Sequence, residues 1–415
     1  MRLETKRWVL LVICTVIYGF MGQTYAWSVF VKPLAEHFHW SLADTMVAFA
    51  IYHTFSTLPL FIAAKAQERW NIHPRTIVLL GGVVLGLSTL GVGFATNLTT
   101  LYIAYGFMGG GGFGLIYSAV LPAMVKFFPD RRGLASGFLV AGIGAAPLIW
   151  APIGVYLIEH YGVLSTFKIL GVLNLVVFCV LGFFVQPPPV GFTPAGWVPS
   201  KIQQQNLAVV DKNWLGMLCD PLYYCISLGI GMGALSGLMI TAAASPILQS
   251  VGGYTAAVAS YWVGILAVCN LAGRLGWGWI SDRVGRMPSL ITIYAILGCA
   301  MLWMAFTDYR VVVPLLLVGM CFGGFMGMPG SLTADAFGTK YLTFNFVVLF
   351  CPFAVGAFIG PRLGPAIKES TGSYSEAFLY GGILAFIAVV LAIIAALIMR
   401  QRRKRYLAEK AISAA

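Results

Sequence analysis

The sequence is poor in carboxylates. Only 14 of its 415 residues are Asp or Glu, and none falls in the middle of a long apolar run. Charged residues make up 10% of the chain, against 59% hydrophobic residues and a mean hydropathy of +0.87. That balance excludes a soluble globular domain and leaves a polytopic membrane protein. Paired cysteine spacings are also missing. The eight cysteines, Cys14, Cys179, Cys269 and Cys321 among them, are scattered and mostly lie inside apolar runs. This excludes a zinc site and a disulfide framework and leaves small packing residues. No cluster of His, Asp, Glu or Cys lies at membrane depth, so no metal, cofactor or enzymatic site is expected. The first apolar run, Val9 to Val31, has no A-x-A cleavage site and is too long for a signal peptide core. It reads as an uncleaved first helix.

What the chain has is span-length apolar segments. A membrane helix needs about 20 apolar residues. Such runs fall near 8–32, 42–66, 76–95, 100–126, 132–158 and 164–185, then near 221–248, 254–280, 288–307, 311–336, 340–367 and 375–399. The expected architecture is all-α with twelve transmembrane helices in two six-helix halves. The N-terminal half is residues 1–185 and a linker follows at 186–218, bearing Pro187–Pro189 and the polar stretch 201–206. The C-terminal half is 219–400, with a basic tail at 401–415.

The net charge of +12 is not a nucleic-acid signal, because the positive residues sit in short connectors and at the termini. With both termini inside, the inside connectors hold Lys65, Arg69, Arg75, Lys126, Arg131, Arg132, Arg283, Arg286 and Lys340, whereas the outside ones hold only Lys32, Lys168, Arg310 and Lys368. The positive-inside rule then predicts a multi-pass cell (inner) membrane protein with both termini cytoplasmic. The basic tail suits anionic lipid headgroups and equally suits an ordinary inside flank. No partner subunit is indicated, and a monomer is expected.

The halves echo each other. Glu68 and Arg69 after the second run correspond to Asp282 and Arg283 after the eighth. Two such halves suggest a transporter built from repeats, with its site near the midplane. Glycines at 109–112, and Gly133, Gly137, Gly142 and Gly144, allow close backbone approach, which serves packing and helix movement alike. The turn GWISDRVGR, Gly278 to Arg286, places Asp282 beside Arg283 and Arg286, and FPDRRGLASG, Phe128 to Gly137, carries Arg131 and Arg132. The first of these closely resembles the signature loop of the major facilitator superfamily. With YAWSVF at 25–30 and NLAGR in the eighth run, they are similar to the oxalate:formate antiporter and monocarboxylate porter branch. The resemblance implies carboxylate transport without ATP hydrolysis, by antiport or proton symport. Asp282, Arg283, Arg286, Arg131 and Arg132 are then the expected gating charges. The N-terminal copy of the loop, AQERWNIHPR, departs from the pattern.

Arg274 is the one charge inside the eighth run. Burying it costs about 2.5–3.5 kcal/mol on insertion scales, so such a residue faces a bundle interior or a water-filled cavity. Its guanidinium stays charged and matches a carboxylate bidentately. No acidic residue shares its depth in the sequence. Two completions follow: a substrate carboxylate, or backbone carbonyls and water. Asn270, four residues earlier, shares its face. Porters of the resembled branch can carry an acid there, so the amide removes a protonatable partner.

His53 is the only histidine deep in an apolar run, and titrates near neutral pH when unperturbed. It is a candidate proton carrier or a packed core histidine. Tyr25 and Tyr117 bring hydroxyls to apolar helices, as substrate donors or as core rings. The resemblance implies a substrate-facing tyrosine at Tyr117, and a lysine in the eleventh run of members that handle oxalate. Ungapped alignment places Phe353 at that lysine's position, with Phe350 one turn earlier and Phe322 and Met326 from the tenth run on the same side. An apolar wall leaves a dianion's second charge unpaired, so a monoanion fits better. Arg362, near the end of the eleventh run, is expected to snorkel to the interface.

The function expected is secondary transport of a small monocarboxylate such as lactate, pyruvate or formate, with protons as candidate partner. Carboxylate exchange and a transporter-like carboxylate sensor stay open.

Overall fold

The computed structural model describes residues 3–189, 191–198, 211–307 and 310–414. The polar part of the linker at 201–206 and Asp308 lie outside the described residues. Every regular element among the described residues is helical. That is what a lipid solvent requires, since a helix satisfies its own backbone hydrogen bonds.

Among the described residues eleven helices are long and apolar enough to cross a membrane, or twelve if a bent pair counts as one span. The pair is Val312–Met326 and Pro329–Phe337, bent by 44°. Pro329 lacks an N–H and opens the second helix, so the break falls at Gly327 and Met328. The first apolar run is also broken. An α-helix, Leu3–Met21, tightens into a 3₁₀ stretch, Gly22–Ala26, and resumes as Ser28–Phe38. The last helix runs on from Ser375 to Ala414, so the basic tail residues continue its final span as helix.

Helix ends follow local chemistry. Asn97 and Thr100 form a capping box at the start of Leu98–Leu101. Gly285, at φ 107°, makes the turn between Ala256–Val284 and Arg286–Phe306, a conformation closed to residues with a Cβ. Asp220 caps Pro221–Ala242 by accepting from Leu222 N at 2.9 Å. Its buried carboxylate also takes Lys212 Nζ at 2.7 Å and Arg402. Burial alone would raise its pKa, but these hydrogen bonds outweigh burial and hold it below the usual range.

The chain divides into two compact units, Met1–Pro129 with Phe138–Ala195, and Asp130–Gly137 with Gly196–Ala415. Two helix pairings recur in both units. In the first unit, the Leu42–Trp70 helix packs on Gly110–Phe127, where Gly110 and Gly114 lie against the Tyr52 and Ser56 carbonyls. Pro74–Val92 packs on Val163–Gly182, with Gly82 under Phe178. In the second unit Ala256–Val284 packs on Val312–Met326, Arg286–Phe306 on Ser375–Ala414, and Pro221–Ala242 on Leu342–Thr371. Span two meets span four in the first unit as span eight meets span ten in the second. The weak sequence echo therefore corresponds to a repeated packing order.

Candidate functional site

In the second unit the candidate residues Asn270 and Arg274 lie on the Ala256–Val284 helix, whose Thr255 cap and Gly285 stop set its length. Arg274 lies well inside it, about ten residues from the C-terminal end. Its Nε donates to Asn270 Oδ1 at 2.9 Å, and both side chains are half-buried. Residues four apart share a helix face, so this contact follows from the sequence. It also fixes the guanidinium plane by tying down one of its five N–H groups.

The backbone beneath is held by glycine. A Cβ on Gly323 would collide with the Asn270 carbonyl, and one on Gly273 with the Met320 carbonyl. The two helices thus touch backbone to backbone at the level of the Arg274–Asn270 pair. Gly323→Ala is expected to force them apart, lowering the Tm and monodisperse yield of the purified protein. Gly276→Ala, on the same helix but facing open space, is expected to be neutral or stabilising by up to about 1 kcal/mol. Equal melting of the two variants would contradict this close approach.

Phe350 and Phe353 stack at 4.5 Å with their planes 15° apart, and both are half-buried. Met326, half-buried, ends its helix at the break. Phe322 is placed differently: it is buried, packed on Gly237 and 5.6 Å from the Phe325 ring. Arg362 Nη1 donates to the Phe358 carbonyl at 2.7 Å and its guanidinium lies over the Phe358 ring.

The first unit gathers its three candidates into one aromatic tract. Tyr25 lies in the 3₁₀ stretch, 5.4 Å from His53 between ring centroids. His53 is 6.3 Å from Phe113, which stacks on Tyr117 at 5.8 Å. Phe49 and Tyr52 also flank the imidazole, and His53 Nε2 is buried with no hydrogen-bond partner among the described residues. Tyr117 stacks on Tyr18, whose hydroxyl donates to the Tyr117 carbonyl at 3.3 Å.

The charged turn forms a four-membered buried cluster. Asp282 accepts from the Gly133 and Leu134 amides, at 2.9 Å each, and so caps the helix that begins at Arg132. Arg286 reaches Asp282 at 2.5 Å and Asp335 at 3.1 Å. Arg132 reaches the other Asp335 oxygen at 2.5 Å. Arg283 stands apart, 3.7 Å over the Trp279 ring, and Arg131 is exposed, 3.9 Å from Asp130.

The family model of the Major Facilitator Superfamily matches residues 11–346 and 241–414. The chain belongs to the Major Facilitator Superfamily. Two relatives are informative. The oxalate:formate antiporter of Oxalobacter formigenes is 27% identical over 399 residues, which cover 93% of this chain and 91% of the antiporter. Monocarboxylate transporter 12 of Homo sapiens is 28% identical over 355 residues, covering 79% of this chain and 68% of that protein. Among solved structures, the E. coli fucose:proton symporter FucP superposes with a TM-score of 0.71 at 12% identity, over 94% of this chain and 99% of the symporter. The proton:xylose symporter XylE gives 0.67 at 15% identity, over 96% of each chain. These structures share the fold.

In this major facilitator chain the residue that sequence reasoning missed is Asp335, the carboxylate that joins Arg132 to Arg286. A signal was present: Asp335 is an acid in an otherwise apolar and small-residue stretch, Met328 to Phe337. An isolated acid in such surroundings needs cations, and two stand at the first positions of other helices, Arg132 and Arg286.

Proposed function

We propose that this major facilitator protein is a secondary carrier of small monocarboxylates, of the size of formate, lactate or pyruvate. The observation that carries the reading is the Arg274–Asn270 hydrogen bond. It orients a permanently charged guanidinium, deep in a spanning helix, so that its planar fork matches one carboxylate. The names of the relatives, an oxalate:formate antiporter and a monocarboxylate transporter, support the same ligand class. The stacked Phe350 and Phe353, with Met326, suit a short apolar tail. Arg362, satisfied within its own helix, is not proposed as a second cation, so one negative charge is preferred over two.

Tyr25, His53 and Tyr117 are the polar positions that the first unit would present to substrate. His53, with Nε2 buried and without a hydrogen-bond partner among the described residues, is the candidate proton carrier, which favours proton symport. Exchange of carboxylates is the second reading, favoured by the antiporter relative. The Asp282–Arg286–Asp335–Arg132 cluster is the proposed gating charge network, with Arg283 and Arg131 at its margin. The lysine and arginine bias supports a reading with both termini on the cytoplasmic side of the cell (inner) membrane.

Purified protein in liposomes tests the reading with labelled formate, lactate, pyruvate and oxalate. Saturable uptake of a monocarboxylate is expected, stimulated by an inward proton gradient. Stimulation by internal carboxylate with no response to the gradient means exchange. Absence of both uptake and counterflow for the whole panel would overturn carboxylate transport.

A further inference from the structure

Away from the proposed substrate residues of the second unit, the first unit contains a small cavity of about 30 Å³. Two irregular backbone segments meet beside it. One is the 3₁₀ stretch Gly22–Ala26 of the first run; the other is a π-helical stretch, Tyr102–Gly109. Their side chains join across it, with Thr24 Oγ1 and the Tyr105 hydroxyl 3.1 Å apart. Gln23 and Asn174 pair reciprocally at 2.9 and 3.1 Å on its wall. Irregular backbone at membrane depth is tolerated where protein buries it or where it lines a water-filled cavity. π-Helical segments often mark functional sites.

Two lining groups have no hydrogen-bond partner among the described residues: Trp27 Nε1 and Ser88 Oγ. Both side chains are almost fully buried, at 2% and 1% exposure. Ser88 lies at the end of the π stretch, where a Cβ on Gly109 would come within 2.8 Å of its Oγ. An unsatisfied buried donor costs about 1–3 kcal/mol, so two around one cavity call for a guest.

Chemistry narrows the guest. Indole N–H only donates, so the guest must accept, and a cation is excluded. Among the described residues the lining carries no charged side chain, so a bound anion would lie uncompensated in low dielectric. A neutral acceptor of water size remains. A water needs about 10–15 Å³ of such volume and two to four polar partners, and the cavity offers both.

We propose that this cavity is an internal hydration site, holding one or two ordered waters between Trp27 and Ser88 at the junction of the 3₁₀ and π segments. The site stabilises the broken first span and stands independently of which substrate is carried.

Radiolytic hydroxyl labelling of the full chain in detergent, read by mass spectrometry, tests it, because bound water generates the radical in place. Trp150 is the internal reference. It is more exposed, at 7%, but its Nε1 is bonded to the Gly19 carbonyl at 3.0 Å. Trp27 is expected to label several-fold faster than Trp150. Labelling no faster than Trp150 overturns the proposal. Ser88→Ala gives a sign test. In a hydrated cavity it removes a water ligand, lowering both Tm and Trp27 labelling. In a dry one it removes an unsatisfied hydroxyl, raising Tm and leaving labelling unchanged. If that variant does not fold, or if its two readouts disagree, the parent labelling ratio decides.

Discussion

Arg274→Gln is expected to reduce carboxylate uptake by at least about 100-fold in proteoliposomes, with little change in the melting temperature of the ligand-free protein. Hydrogen bonds to a charged group are each worth about 1.5–3 kcal/mol. Losing a bidentate pair therefore costs about 3–6 kcal/mol, or two to four decades in binding or rate. Arg274→Lys keeps the charge but loses the planar fork and the Nε contact to Asn270, so it is expected to fall in between, roughly 10-fold below the parent. Asn270→Ala keeps the guanidinium and frees its plane. It is expected to raise the half-saturating concentration by about 10-fold, the value of one hydrogen bond. The graded order separates a geometric clamp from simple charge attraction. Parental transport by Arg274→Lys would sink the clamp, whatever the substrate. A second readout avoids dependence on reconstitution. A binding carboxylate raises the melting temperature of the parent by mass action, and that shift should vanish in Arg274→Gln.

Much of this fold was legible because lipid leaves few options. Apolar runs of about 20 residues can only be helices, and the runs drawn from the sequence fall close to the helices observed. The irregularities were less legible. The 3₁₀ stretch Gly22–Ala26 does carry Gln23, Thr24 and Tyr25, but the apolar residues on both sides make the first run read as one continuous helix. The break at Gly327 did have a signal, Gly327, Pro329 and Gly330, but the run was long enough to read as continuous. At the site, legibility depended on sequence distance. The Arg274–Asn270 contact is four residues long and follows from helix geometry. Asp335 meets Arg286 across 49 residues and Arg132 across 203, and no local pattern encodes that. Arg283 shows the converse. It belongs to the same turn motif as Asp282 and Arg286, yet its guanidinium rests on Trp279 one turn back. Tyr25, His53 and Tyr117 were chosen singly as polar groups on apolar helices. Tyr25 meets His53 directly, and what links His53 to Tyr117 is the ring of Phe113, which has no polar atom to draw attention to it.

Asp335→Ala is expected to destabilise the protein more than any other single change at the charged turn. The side chains of Asp282, Asp335, Arg132 and Arg286 are each less than 10% exposed, and their charges sum to zero. Removing Asp335 strands Arg132 and leaves Arg286 with Asp282 alone. Breaking a buried pair by deleting one partner costs about 3–5 kcal/mol, because the remaining charge is desolvated without compensation. A large fall in Tm and in folded yield should follow. Asp335→Asn keeps the shape and two hydrogen-bonding atoms, so the charge component shows directly as the loss it shares with Asp335→Ala. The decisive comparison is the double variant Asp335→Ala with Arg132→Met, which restores neutrality and fills the space with a flexible apolar chain. Replacing both members of a buried pair is often neutral, so the double variant should recover most of the Tm lost by Asp335→Ala. If it melts lower than the single variant, Arg132 owes its place to contacts other than the pair. Transport completes the argument. Were the cluster only structural, the refolded double variant would carry substrate at the parental rate. As a gating network, it should recover stability while its turnover still differs from the parent, because the charges that must part and re-form during each cycle are gone.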